Sequence, residues 1–169
     1  MSLDVTTYSE YIKKAVQILP RGAFLTVKGK DKVNPMTIGW GAFGFQWGIP
    51  TVEVMVRESR FTKSILDDSM EFTLSFPLDE SMKTALAYCG SKSGRDTDKV
   101  KDLALELLDS ENIETPSVLC KGIIMECKVV SSVTMSNDST DNEILEKWYK
   151  NGDLHTMYYA KILNCRELN

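Results

Sequence analysis

Three basic residues crowd a point where an apolar strand gives way to a helical pattern, in Arg57-Glu58-Ser59-Arg60-Phe61-Thr62-Lys63. With Ser59 as the N-cap, the amides of Arg60, Phe61 and Thr62 point outward without intrahelical partners, which makes a ready anion site. Arg57, Arg60 and Lys63 add positive charge and Thr62 a hydroxyl, so a phosphate monoester can be held from several sides. The plain alternative is a solvated basic helix start. Cations at a helix N-terminus oppose the macrodipole, however, and that cost argues for an anion between them.

Two other segments carry candidate chemistry. Gly39-Trp40-Gly41-Ala42-Phe43-Gly44 reads literally as G-x-G-x-x-G. The dinucleotide fingerprint needs a helix to open there, so that pyrophosphate meets free amides. Instead Phe45-Gln46-Trp47-Gly48-Ile49-Pro50 follows, and its glycine and proline leave no room for a helix. An extended glycine- and aromatic-rich segment suits close backbone approach to a flat ligand, or equally a bulged barrel strand with glycines at its bends. The second segment, Tyr88-Cys89-Gly90-Ser91-Lys92-Ser93-Gly94-Arg95-Asp96-Thr97-Asp98-Lys99, is a flexible turn bearing donors and one guanidinium fork.

Counts remove other chemistry. The single histidine, His155, excludes multi-histidine metal sites, and Cys89, Cys120, Cys127 and Cys165 form no C-x-x-C pair. They read as small buried apolar residues. Twenty basic and 24 acidic residues give a net charge of −4, which lacks the counterion-releasing surface that nucleic-acid binding needs. No apolar run approaches the roughly 20 residues of a membrane span. The first residues lack the basic and apolar regions of an export signal, so reduced thiols in a cytoplasmic protein are expected.

The elements that must position these residues follow from periodicity. Thr7-Tyr8-Ser9-Glu10 has the capping-box pattern, followed by Ile12, Ala15, Val16 and Leu19 on one helical face and by Pro20 and Gly22 as a stop. Strands are expected at 23–28, from Asn34 to Trp40, at 51–56, at 71–76, from Val118 to Val133 and from Leu154 to Leu163. Short helices fall after Ser59, after Asp79 with Gly90 beyond its end, around Val100, Leu103 and Leu107, and around Ile144, Leu145 and Trp148. Six or so strands with irregular helices do not alternate as βαβ units. An α+β antiparallel barrel or sheet in one domain, residues 1–169, is the expectation.

Taken in order, several of these motifs carry a resemblance: Asn34-Pro35-Met36-Thr37-Ile38-Gly39-Trp40-Gly41, Trp47-Gly48-x-Pro50, Val56-Arg57-x-Ser59-Arg60-Phe61-Thr62, Phe72-Thr73-Leu74 and Tyr88-Cys89-Gly90-x-x-Ser93-Gly94-Arg95-Asp96-x-Asp98-Lys99. Glu126-Cys127 and Asp153-x-His155 add to it. From about Ala23 to Leu163 the chain resembles the flavin reductase-like, FMN-binding split-barrel family and its flavoredoxin-like branch. The resemblance implies a six-stranded split barrel that forms a homodimer, with one FMN per subunit near the interface. Asn34, Met36, Thr37 and Trp40 would line the isoalloxazine ring. Arg57, Ser59, Arg60, Thr62 and Lys99 would hold the ribityl phosphate, while Ser93, Gly94 and Arg95 close over the flavin. NAD(P)H would lie folded in an open groove, with His155 and Arg95 reaching toward it, although His155 equally reads as an ordinary strand histidine with a satisfied hydrogen bond. Two functions fit: an NAD(P)H-dependent flavin reductase, or an FMN electron carrier reduced by a partner protein. Phe61 stands where the family often has Tyr and Ala160 where Gly is expected, and Ser132 to Lys150 match nothing specific.

Overall fold

The computed structural model describes residues 5–169. Its frame is one antiparallel sheet of seven strands. In chain order these are β1 (Ala23–Lys28), β2 (Val33–Ile38), β3 (Gly41–Gln46), β4 (Ile49–Arg57), β5 (Glu71–Pro77), β8 (Gly122–Thr134) and β9 (His155–Leu168). A separate two-stranded ribbon joins β6 (Leu107–Leu108) to β7 (Ser117–Val118). The spatial order of the large sheet is β2-β1-β5-β8-β9-β4-β3.

That order forces curvature. Its two outermost strands, β2 and β3, follow one another in the chain with only Gly39 and Trp40 between them. Three residue steps reach at most about 11 Å. Seven strands laid flat would set their edges about 29 Å apart at the usual interstrand spacing. The sheet therefore curls until its edges meet at Gly39–Trp40, which makes a barrel with one seam.

Inside the curl lies a continuous apolar core that includes Leu25, Val54, Phe72, Leu74, Met125, Tyr158 and Ile162, all at most 1% exposed. Helix α1 (Val5–Ile18) stops the core from below with Ala15 and Ile18. Helix α2 (Phe61–Ser69) follows β4 and buries Ile65 and Leu66. Helices α3 (Lys83–Ser91) and α4 (Lys99–Asp102) pack on β2, and α5 (Asn142–Trp148) precedes β9. On β8, Glu126 is 1% exposed. Burial alone raises its pKa, but donors from Asn112, Glu111 and Asn164 outweigh this and hold the carboxyl below its usual range.

The expected α+β antiparallel class is present, with seven strands in the main sheet instead of six. The difference is the glycine–aromatic segment, which forms its own strand and pairs with β4 from Gly41↔Val54 to Gln46↔Ile49. Trp47 and Gly48 turn this hairpin with φ of 52° and 74°, as a two-residue primed turn requires. The Thr7–Glu10 capping box is not formed, because the chain is already helical at Val5 and Thr7 lies inside α1. Val16 faces solvent at 52% exposure. Gly90 belongs to α3, which runs on to Ser91 and ends where the Lys92 amide meets Tyr88 O at 2.9 Å. Leu107 lies in β6, since only four residues of the expected third helix are helical. The long run after Pro116 is broken between β7 and β8. Among the described residues no helix is long and apolar enough to cross a membrane.

Candidate functional site

The basic junction after β4 lines a cavity of about 300 Å³. Asn34 and Met36 enter from β2, Ser59, Arg60, Phe61 and Thr62 from the start of α2, and Ser91 to Arg95 from the loop after α3. Arg57, Lys99 and Asp153 complete the wall. The helix begins one residue later than Ser59 would set it. Arg60 is the N-cap, with φ −72° and ψ 133°, and its amide is already bonded to Arg57 O at 3.0 Å. The helix-start amides left without a partner among the described residues are consequently those of Phe61 and Thr62. Ser59 turns instead to Asp153, whose carboxylate accepts its amide and its hydroxyl, each at 2.8 Å.

Charge is the outstanding property of this cavity. Arg57, Arg60, Lys92, Arg95 and Lys99 face it against one carboxylate, Asp153. None of the five forms an ion pair among the described residues. The arginines are held by main-chain oxygens: Arg57 donates to Asp153 O (2.8 Å) and Trp148 O (3.2 Å), Arg60 to Gly90 O (3.0 Å), Arg95 to Ser59 O (2.9 Å). Carbonyl partners fix a guanidinium without neutralising it, and each fork keeps N–H groups for a ligand. Lys99 is 2% exposed, with Nζ on Pro35 O (2.9 Å) and Cys89 O (3.0 Å). Burial, followed by the cations Arg60 and Lys32, lowers its pKa, and burial pushes the Cys89 thiol up to about 11. Lys63 does not join this group, because it pairs with Asp67 (2.7 Å) and Glu58 (3.8 Å).

Asn34 and Gly94 close the inner wall. Asn34 Nδ2 donates to Thr62 Oγ1 at 2.9 Å, and its Oδ1 is buried without a partner. A Cβ on Gly94 would stand 1.9 Å from that oxygen and 2.8 Å from the Phe61 ring, so only glycine fits the approach. Ser93 Oγ accepts the Arg95 amide at 3.2 Å, which shapes the loop.

A second, smaller cavity of about 130 Å³ continues the first along β2. Met36, Arg57 and Arg60 line both, and Thr37, Ile38, Gly39, Trp40, Met55 and His155 line the extension. The barrel seam is thus one wall of the groove. Trp40 stands between Trp148 and His155, with ring centroids 4.8 and 5.6 Å away. Thr37 spends its hydroxyl on Leu86 O at 2.6 Å, so it meets the groove mainly with backbone.

His155 is 6% exposed, and its Nδ1 lies 2.7 Å from Tyr149 Oη. Tyr149 keeps its proton, since burial raises its pKa. A phenol facing a neutral imidazole donates to the nitrogen in preference to the thioether of Met135, also within reach at 3.5 Å. The imidazole hydrogen then sits on Nε2, in a ring that lines the second cavity.

Every residue expected at the site except Lys63 is brought to the groove: Asn34, Met36, Arg57, Ser59, Arg60, Thr62, Ser93, Gly94, Arg95 and Lys99 in the first cavity, Thr37, Trp40 and His155 in the second. Trp47 is not, lying 67% exposed at the hairpin tip. The sequence reading passed over Asp153, Lys92, Trp148 and Tyr149. Asp153 sat beside His155 in a noted motif and has φ 59°, but nothing linear links it to Ser59, 94 residues away.

Burial, with Arg57 and Arg60 acting the same way against Asp153, lowers the His155 pKa to about 4. Because the folded value lies below the unfolded one of about 6.5, the unfolded chain binds more protons as pH falls. Stability is expected to decline on acidification from about 6.5 toward 4. As the only histidine, His155 gives one unambiguous ring signal by NMR. Its midpoint should lie near 4, and a midpoint near 6.5 would contradict this packing.

Comparison with known proteins agrees with the fold. The chain is 27% identical over 156 residues to an uncharacterized protein of Archaeoglobus fulgidus, covering 92% of this chain and 77% of that one. The flavoredoxin of Desulfovibrio vulgaris (Miyazaki F) superposes with a TM-score of 0.69 at 18% identity, over 88% of this chain and 69% of its own. An FMN-binding protein from Thermus thermophilus, solved with bound 1-cyclohex-2-enone, does so with 0.68 at 20%, over 86% and 69%. The family model described as "Flavin reductase like domain" matches residues 19–169, nearly the whole chain and all of the groove, and the protein belongs to that family.

Proposed function

We propose that the groove binds FMN and that the protein is an NAD(P)H-dependent flavin reductase acting as a homodimer. The observation that carries this reading is five cations, in no ion pair among the described residues, round one small cavity in a chain of net charge −4. A phosphate monoester, with nearly two negative charges at neutral pH, matches that set. Arg57 and Arg60 offer fork-shaped donors, and Phe61 N, Thr62 N and Ser59 add neutral ones. Asn34 Oδ1 is a buried acceptor suited to a ribityl hydroxyl. The ring would lie along β2 against Met36, Thr37 and Trp40, with Ser93, Gly94 and Arg95 closing the other end. Lys99 acts by fixing β2 to α3 and by its charge.

Bound FMN supplies the redox chemistry, taking a hydride equivalent and passing electrons on. The chain's own part is orientation, exclusion of water and charge. Nε2–H of a neutral His155 is a hydrogen-bond donor at the ring end, where a nicotinamide amide would need one. Arg95, exposed on its loop, reaches outward over Phe61. Four buried free thiols suit a reducing cytoplasm.

The second reading, an FMN carrier reduced by a partner protein, is favoured by the apolar surface at the ring end, where Trp148 and Ile144 are 44% and 43% exposed. Mixing the FMN-loaded protein with NADH or NADPH in a stopped-flow instrument separates the two. Rapid bleaching of the flavin absorbance is expected, and no bleaching by either nucleotide would leave the carrier.

The dimer is supported by β3, a sheet edge carrying Phe45 at 56% exposure, and by Trp47 at 67% on the adjoining turn. Light scattering should give twice the 19.0 kDa of one chain. A mass of one chain at micromolar concentration overturns the assignment.

Phosphate recognition has a sharper test. Charge-assisted hydrogen bonds contribute about 1.5–3 kcal/mol each, so Arg60→Ala should weaken FMN roughly ten- to hundredfold. Riboflavin, which lacks the phosphate, should bind the variant and wild type alike, and circular dichroism should stay native. Unchanged FMN affinity in both Arg57→Ala and Arg60→Ala removes the phosphate assignment, and equal losses of FMN and riboflavin indicate structural damage.

A further inference from the structure

We propose that a separate cavity of about 490 Å³, between β2 and α3, is a second ligand site that takes a small apolar carboxylate on Arg21. The proposal does not depend on the FMN reading. The volume lies in the range of about 300–1,000 Å³ that small-molecule sites occupy. Ile18 at the end of α1, Pro77 at the end of β5, Thr37 of β2, and Leu86 and Ala87 of α3 form its walls.

This cavity is distinct from the groove. It has no lining residue in common with the cation-lined cavity and only Thr37 in common with the second. Side chains alternate along a strand, and Thr37 turns its hydroxyl to Leu86 O while Asn34 and Met36 line the groove. A ligand here is therefore separated from the groove by β2 and is not a reactant there. It does touch the groove's supports. Thr37 is a wall of both, and Gly90, which also lines this cavity, holds Arg60 through its carbonyl at 3.0 Å.

The lining selects the ligand by shape and charge. Ile18 and Pro77 are buried and Leu86 is half-buried, which gives an apolar floor. Gly22, at φ 114°, presents bare backbone, since a Cβ there would press on Thr37 Cγ2 at 3.2 Å. The rim carries two carboxylates and two cations, and three of the four are engaged. Asp79 accepts the Ser81 amide at 2.9 Å and the Ser81 hydroxyl at 2.5 Å. Glu80 pairs with Lys83 at 3.4 Å. Arg21 is exposed and forms no ion pair among the described residues, so its fork is the charged group left for a ligand. A guanidinium matches a carboxylate with two parallel N–H groups. A dianion such as a phosphate monoester would face Asp79 and Glu80 with one free cation, and like charges disfavour it. A single negative charge on an apolar body fits both the rim and the floor.

Titration with isocaproate, followed by ligand-observed NMR, tests this, with acetate lacking the apolar body and isocaproamide lacking the charge. Isocaproate should bind saturably at millimolar concentration, and the other two more weakly. Arg21→Gln should weaken isocaproate about two- to fivefold, the size expected of exposed charges, and leave the amide unchanged. Ala87→Phe, at an exposed position of α3, should abolish binding by filling the space. Arg60→Ala reports binding at the groove instead. The proposal is overturned by any of four results: no saturable binding of isocaproate to wild type, equal binding of acid and amide, full binding in Ala87→Phe, or a loss in Arg60→Ala with none in Arg21→Gln.

Discussion

Closure of the sheet is the constraint on which the rest depends. Two residues, Gly39 and Trp40, tie together strands that would otherwise lie at opposite edges, and the barrel follows from that short tether. The same tether makes the groove. β2 reaches the seam with α3 and α4 on one side, and the end of β4 arrives with Arg57 on the other. Asn34, Met36 and Trp40 therefore face Arg57, Arg60 and His155 across a gap whose width is set by barrel geometry. A site built across a seam is positioned by the full hydrogen-bonded ladder on each side, which is stiffer than any loop.

The electrostatics of the groove follow one rule throughout. Cations are fixed by main-chain carbonyls while carboxylates are kept away or turned aside. Arg57, Arg60, Arg95, Lys32 and Lys99 all hold carbonyl oxygens. Asp153 is the exception, and it is engaged by Ser59. Such an arrangement stores positive potential in a partly enclosed space, at a cost that an anionic ligand relieves. Burial first, and that potential second, lowers the pKa of both Lys99 and His155.

Around the second cavity, the end of α5 and the residue after it link the two halves of the groove. Arg57 lies over the Tyr149 ring, 5.0 Å from its centroid, and holds Trp148 O. Tyr149 in turn fixes His155, and Trp148 packs on Trp40. A residue of the cation-lined cavity thereby braces the aromatic residues of the other, so the two ends are not independent.

Much of this was legible in the chain. Alternation of polar and apolar residues marked β4 and β5, the basic cluster marked the cation-lined cavity, and one histidine argued against metal chemistry of the multi-histidine kind. These are local properties, fixed by side-chain period, charge and count. The glycine–aromatic segment was not resolved by the same means, because a bulge, a ligand-facing stretch and a separate strand have one composition, and only pairing with β4 selects among them. The N-cap moved from Ser59 to Arg60 because Asp153, 94 residues on, claims the serine. Lys63 and Arg60 are indistinguishable in sequence, three residues apart on a basic helix start. The fold gives one to Asp67 and the other to the cavity. Residue types and the chemistry they permit came from the sequence alone. Which of those residues meet, and which are neutralised before they can, was decided by long-range pairing across a closing sheet, which no local pattern encodes.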